Sequence, residues 1–256
     1  MTPLFGGLRL PFGDAGGRPA EESTGDDAGA DGSDAAGDAV RLPFRDRDEA
    51  GALLGAAVAR RLATDGDAPV AVTVLGVPRG GVVVAAAVAR AVGAPLDVLV
   101  AHKVAGPWDP EFALGAVTSD GTVVIEPWAS REAGMDEDAL AQLAALEIEA
   151  ARAREARLRA GRAPVPVSGR VAVIVDDGLA TGATVHAACL AARALGAARV
   201  LVAAPVASRE AVDLLAPACD AVVTLATPPG FGAVGRFYER FDQVADDVVI
   251  EILAAQ

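Results

Sequence analysis

From residue 46 onward, the apolar positions of this chain fall into two alternating patterns. Residues 46–63 carry them at helical spacing behind Asp46, a side chain suited to capping a helix start. Residues 70–75 form a short apolar run, as expected of a strand buried on both faces. The same alternation gives a helix over 81–92 and a strand over 96–101. Residues 112–118 and 122–125 flank Asp120-Gly121, a strong hairpin signal. One long helix follows over 136–160, with Glu147, Glu149, Arg152, Arg154, Glu155, Arg157 and Arg159 giving mixed-charge faces. Strands at 171–175, 200–204 and 221–225 then alternate with helices at 183–195 and 208–215, and a helix over 245–255 closes the chain. Strands separated by helices predict an α/β fold, a mainly parallel sheet with helices on both faces. Ligands of such sheets bind beyond the strand C-termini. The loops after Leu75, Ala101 and Val175 all belong at that edge.

The first forty residues change the picture. Residues 13–39 hold Asp14, Glu21, Glu22, Asp26, Asp27, Asp31, Asp34 and Asp38 against one base, Arg18, and almost no large apolar side chain. Such a segment cannot bury enough surface to offset its ordering entropy, so residues 1–39 read as an acidic, disordered extension and 40–256 as one domain. Arg9-Leu10-Pro11-Phe12 recurs as Arg41-Leu42-Pro43-Phe44, each followed two residues on by Asp. Two readings stand: a duplicated scrap, or a first copy able to occupy the groove of the second. The net charge of −13 argues against nucleic-acid or anionic-membrane partners. No apolar run approaches the ~20 residues of a membrane span, and no signal peptide is visible. Cys189 and Cys219 make no disulfide framework, so a reduced, cytoplasmic setting is expected.

The chemistry concentrates in residues 171–184, VAVIVDDGLATGAT. A buried strand ends in Asp176 and Asp177, and Gly178, Ala180, Thr181, Gly182, Ala183 and Thr184 lead into a helix. A loop of this kind offers backbone N–H groups and a positive dipole end to an anion. Two carboxylates beside that seat suit a sugar phosphate, with hydroxyls to the acids and phosphate to the loop. Acid pairs also end strands in response-regulator-like and Walker-B-like sites. Those lack the Thr-Gly-Ala-Thr cradle, and the chain has no GxxxxGK[ST] sequence. One βαβ unit earlier, Pro78-Arg79-Gly80-Gly81 opens a helix with glycines that allow close backbone approach. After Ala101 comes His102-Lys103-Val104-Ala105-Gly106-Pro107-Trp108. Lys103 is the single lysine beside 21 arginines, and its compact charge suits phosphate oxygens. His102 is either a proton or phosphate partner or a structural residue.

The 171–184 stretch resembles the phosphoribosyl-pyrophosphate (PRPP) motif of type I phosphoribosyltransferases, and the resemblance covers roughly 41–256. It implies the family's fold, with a β-hairpin flap and a small hood over the parallel sheet. It also implies transfer of the 5-phosphoribosyl group from PRPP to a nitrogen acceptor such as a nucleobase, with Mg²⁺ and release of pyrophosphate. By this resemblance Asp176 and Asp177 take the ribose 2′- and 3′-hydroxyls, and residues 180–184 hold the 5′-phosphate, Thr181 and Thr184 adding hydroxyl donors. Mg²⁺ is held mainly by substrate, with Asp176 or Asp177 as candidate ligands. The Pro-Arg-Gly-Gly loop is similar to the family's pyrophosphate loop; Arg79 either adds a cation there or points to solvent. Residues 104–111 resemble the flexible catalytic loop, with Lys103 beside the leaving group, and Trp108 either covers the closed site or packs on the hairpin. Homodimers are frequent in the family.

Four of the ten aromatic residues, Phe231, Phe237, Tyr238 and Phe241, fall within eleven positions near the C-terminus. They either stack on a planar acceptor or anchor the C-terminal segment. Fold alone does not separate an enzyme from a PRPP- or nucleotide-binding regulatory protein on the same scaffold. Lys103 and the loop after it favour the enzyme. A hydrolase lacks a candidate nucleophile with its base, and His102 and His186 make no convincing metal site.

Overall fold

The five apolar runs lie side by side as parallel strands in a computed structural model that describes residues 40–64, 71–106, 113–125, 131 and 134–256. These are β1 (Val72–Gly76), β2 (Leu96–Val98), β6 (Val171–Val175), β7 (Arg199–Val206) and β8 (Ala221–Ala226), in the order β2-β1-β6-β7-β8. The side-chain period of two decides the layers. Val171, Val173 and Val175 face one core, with Leu54 and Val58 of α1 (Arg47–Thr64), Val84 and Val88 of α2 (Gly80–Val92), Leu158 of α3 (Glu137–Arg159) and Leu253 of α6 (Asp246–Ala254). Ala172 and Ile174 face the other, with Val185 and Ala188 of α4 (Ala183–Ala194) and Leu215 of α5 (Arg209–Leu215). A strand covered on both faces has to be apolar throughout, and all five residues of β6 are buried. Among the described residues no helix is long and apolar enough to cross a membrane.

Helix starts follow their side chains. Asp136 accepts from the Ala139 N–H at 2.8 Å, and Ser208 from the Ala211 N–H at 2.9 Å. Asp46 accepts from the Glu49 N–H at 3.0 Å, and this bond holds its carboxyl below the usual range.

The run 96–101 is not one strand. The chain leaves the parallel sheet after Val98, and Ala101 begins β3 (Ala101–Ala105) of a second sheet, antiparallel and three-stranded, with β4 (Ala113–Thr118) and β5 (Val123–Ile125). His102 and Lys103 therefore sit on a strand, opposite Val117 and Ala116, and not in the loop expected after residue 101. The Asp120-Gly121 turn is where the sequence puts it, with Gly121 at φ 94°. The flap has its own small core, Val104, Leu114 and Val117 against Ala144 and Ile148 of α3. Residues 1–39, with the first Arg-Leu-Pro-Phe copy, and residues 107–112, with Trp108, lie outside the described residues.

Candidate active site

The strand order changes direction between β1 and β6, since β2 lies to one side and β7 and β8 to the other. The crevice beyond the strand ends at such a switch point is the binding edge of the fold. Of the three loops expected there, those after β1 and β6 meet at that edge, and their contact explains their glycines. A Cβ on Gly80 would lie 1.8 Å from Asp177 Oδ2, and one on Gly81 would lie 2.7 Å from the Val175 carbonyl and 2.8 Å from Asp176 Cα. No side chain fits at either position, so the Pro-Arg-Gly-Gly backbone rests directly on the acid pair. The Val77 N–H donates to the Val175 carbonyl at 2.9 Å, and the Pro78–Arg79 peptide is cis.

The Asp177 N–H donates to Asp176 Oδ1 at 2.8 Å, which ties the first carboxylate to the loop backbone. Burial pushes both carboxyls up from the ordinary Asp range. For Asp176 the second cause is the charge of Asp177, and its shift is large. Arg47 offsets part of this: its Nε donates to Asp177 Oδ2 at 2.7 Å, with both side chains largely buried. The same guanidinium donates to the Asp242 carbonyl at 2.8 Å and lies 3.9 Å from the Phe241 ring centroid.

After the acids, the loop is pinned to its neighbours. Leu179 forms a parallel bridge with Ala207, and Ser208 Oγ donates to the Ala180 carbonyl at 2.6 Å. Gly182, at φ 77°, turns the chain into α4. Ala180, Thr181, Ala183 and Thr184 are exposed around this turn. The first N–H groups of any helix lack intrahelical acceptors, so those at 183 and 184 are available to an anion; Ala183 N makes only a 3.5 Å contact with Thr181 Oγ1. A Cβ on Gly178 would meet Val234 Cγ1 at 2.4 Å, because the C-terminal segment closes over the loop there.

That segment uses its rings as anchors. Tyr238 stacks on Phe241 at 4.9 Å, Phe231 lies 4.9 Å from Phe237, and the Tyr238 hydroxyl donates to the Asp177 carbonyl at 2.6 Å. The second Arg-Leu-Pro-Phe copy joins them. Phe44 is buried, bridges Tyr238, donates its N–H to the Phe237 carbonyl at 2.8 Å and accepts from the Glu239 N–H at 2.7 Å.

The remaining candidates are more dispersed. Lys103 is exposed on β3. His102 Nδ1 lies 3.1 Å from Glu147 Oε2 of α3. Arg79 extends toward Asp246, the first residue of α6, at 3.8 Å. Sequence reasoning missed Arg47, the Tyr238 hydroxyl and Asp246. Arg47 and Asp177 are 130 positions apart, and no local spacing links them. Among the described residues no three His, Cys, Asp or Glu side chains converge as a metal site. The acid pair offers two carboxylates, one of them already ion-paired to Arg47.

A family model described as phosphoribosyl transferase domain matches residues 48–223. Two Mycobacterium tuberculosis proteins, from strains CDC 1551 and H37Rv and provisionally named phosphoribosyl transferases, are each 45% identical over 210 residues, covering 82% of this chain and 46% of theirs. The chain thus spans about half the length of the curated relatives it matches. The crystal structure of TT1426 from Thermus thermophilus superposes with a TM-score of 0.73 at 46% identity, over 84% of this chain and 99% of that one.

Proposed function

Because the chain belongs to the phosphoribosyl transferase family and has its type I α/β fold, we propose that it moves the 5-phosphoribosyl group of PRPP to a nitrogen acceptor, with a nucleobase-like ring as the acceptor class. The observation that carries this reading is the fit of Gly80 and Gly81 against Asp176 and Asp177, beside the exposed turn at 180–184. That edge offers two carboxylates for hydroxyls, flanked by two backbone seats for anions, matching a ribose that bears phosphate at one end and diphosphate at the other.

In this mechanism Asp176 and the Oδ1 of Asp177 accept the ribose hydroxyls, while Arg47 occupies Asp177 Oδ2 and fixes its rotamer. The start of α4 holds the 5′-phosphate. The amides of the Pro-Arg-Gly-Gly loop hold the diphosphate, and Lys103 faces the charge that grows on it as the C1–O bond breaks. The acceptor nitrogen forms the new bond to C1 and gives its proton to solvent. When bound with the substrate, Mg²⁺ neutralises diphosphate oxygens and improves the leaving group. Asp176 and Asp177 repel anions that bring no hydroxyls, which favours ribose phosphates over bare phosphate.

The test is pyrophosphate release from PRPP and Mg²⁺ across a panel of nucleobases. Release with one base, lost in the Asp176→Asn, Asp177→Asn variant, supports a transferase and names its acceptor. PRPP binding without release for any base supports the regulatory alternative.

A further inference from the structure

Asp246 holds the one buried side-chain oxygen, among the described residues, without a hydrogen bond: its Oδ1 is enclosed and accepts none. Three guanidinium groups nevertheless surround it. Arg79 Nη1 lies 3.8 Å and Arg154 Nη2 3.6 Å from Oδ1, and Arg157 Nη2 lies 3.5 Å from Oδ2. The three come from two places, the loop after β1 and one face of α3, where Arg154 and Arg157 are three residues apart. Other acids of α3 are engaged elsewhere: Glu155 with Arg159 and Ser119, and Glu149 with Arg152. Three cations therefore converge on one carboxylate at distances that make ion pairs but form no hydrogen bond. A guanidinium has five N–H donors, so most of the donor capacity here is not directed at Asp246. Arg79 is adjacent to Gly80, whose backbone touches Asp177.

We propose that Asp246 is a positioning residue, a resident counter-ion that Arg79 exchanges for the diphosphate end of the substrate. In the free protein Asp246 holds the Arg79 side chain ordered beside the Pro-Arg-Gly-Gly loop. When a diphosphate enters, Arg79 turns to it, and Arg154 and Arg157 remain to compensate Asp246. Without those two arginines the exchange would strand a largely buried carboxylate, which is costly. The cluster therefore sets affinity for the leaving group separately from affinity for the sugar phosphate. The inference rests on the assignment of a diphosphate to this edge made above.

The experiment is calorimetric titration of the full chain with two probes, inorganic pyrophosphate with Mg²⁺ and ribose 5-phosphate, at two salt concentrations. Asp246→Asn frees Arg79 and is expected to bind pyrophosphate about fivefold more tightly, with a steeper salt dependence and unchanged ribose 5-phosphate affinity. Arg157→Gln, at a side chain two-thirds exposed and so tolerant of change, is expected to weaken pyrophosphate about fivefold. In the combined variant the Arg157 effect should shrink, because the carboxylate it compensates is gone. A purely structural ion network would move the melting temperature and leave the pyrophosphate affinities and salt slopes alike in all variants; that result overturns the exchange. If ribose 5-phosphate binds the wild type and pyrophosphate responds to none of these changes, only this inference fails. If the wild type binds neither probe, the functional reading itself fails, and the exchange with it.

Discussion

The acid-pair loop and the flap both carry residues proposed for the site, but they are built differently. The loop ends a strand buried on both faces, is pressed by a glycine backbone at contact distance, and is tied by Arg47 and Tyr238 to α1 and the C-terminal segment. The flap is a three-stranded sheet with a separate core of a few side chains, and its β3 is an edge strand carrying an exposed Lys103. The groups proposed to recognise the ligand are fixed by the main core. The cation proposed to act as the leaving group departs stands on the less embedded sheet. Local opening draws on regions with few buried contacts, so the flap, with its small separate core, is expected to open more readily than the acid-pair loop.

The sharpest way to break this contrast is Gly80→Ala. Its Cβ would collide with Asp177 Oδ2, so we expect about 3 kcal/mol of lost stability together with loss of ribose 5-phosphate binding. Unchanged thermal unfolding would show the two loops are not packed as described. Asp176→Asn should cost about 100-fold in PRPP affinity, near the value of a charged hydrogen-bond partner removed from a buried site, and should not lower the melting temperature. Lys103→Ala should reduce kcat about 30-fold, by loss of electrostatic stabilisation of the leaving group, while ribose 5-phosphate affinity stays within about twofold. Equal losses in both quantities would place Lys103 in ground-state binding.

The smallest effect is in pH dependence. Burial, and then the neighbouring charge, raise the Asp176 carboxyl above its value in the unfolded chain. Between those two values the folded protein binds more protons than the unfolded one. Stability therefore falls as pH rises through that window, while affinity for hydroxyls that need ionised carboxylates rises. Melting curves across that range should show stability falling as pH rises, a slope that Asp176→Asn removes. A slope that survives the substitution assigns it to another group.

Much of this was legible from local pattern. The five parallel strands were, because strands sandwiched between helices read as short apolar runs, most completely in β6. The Asp120-Gly121 turn was, because Gly121 needs its positive φ. The acid pair and its loop were, because strand, carboxylates and helix start are contiguous. The break at residue 98 was not. Residues 96–101 are apolar throughout apart from Asp97, and nothing in such a run marks where a chain passes from a parallel sheet into an antiparallel one. Asp97 itself is buried, accepting from Arg159 at 3.0 Å and from the Val98 N–H at 2.8 Å. Arg47 and Asp246 were equally hidden, since each reads locally as part of a helix start. Their significance comes from partners in Asp177, Arg79, Arg154 and Arg157 that only the packed sheet brings near. The C-terminal aromatic cluster was visible as a cluster, but its anchoring of the acid loop through Tyr238 was not.

The most direct test of the central claim is calorimetric titration of PRPP with Mg²⁺ into the wild type and the Asp176→Asn, Asp177→Asn variant, with thermal unfolding of both as a control. Binding by the wild type is expected, and none by a variant that still unfolds cooperatively. Equal affinity in the two proteins would contradict the assignment of the acid pair to the ribose.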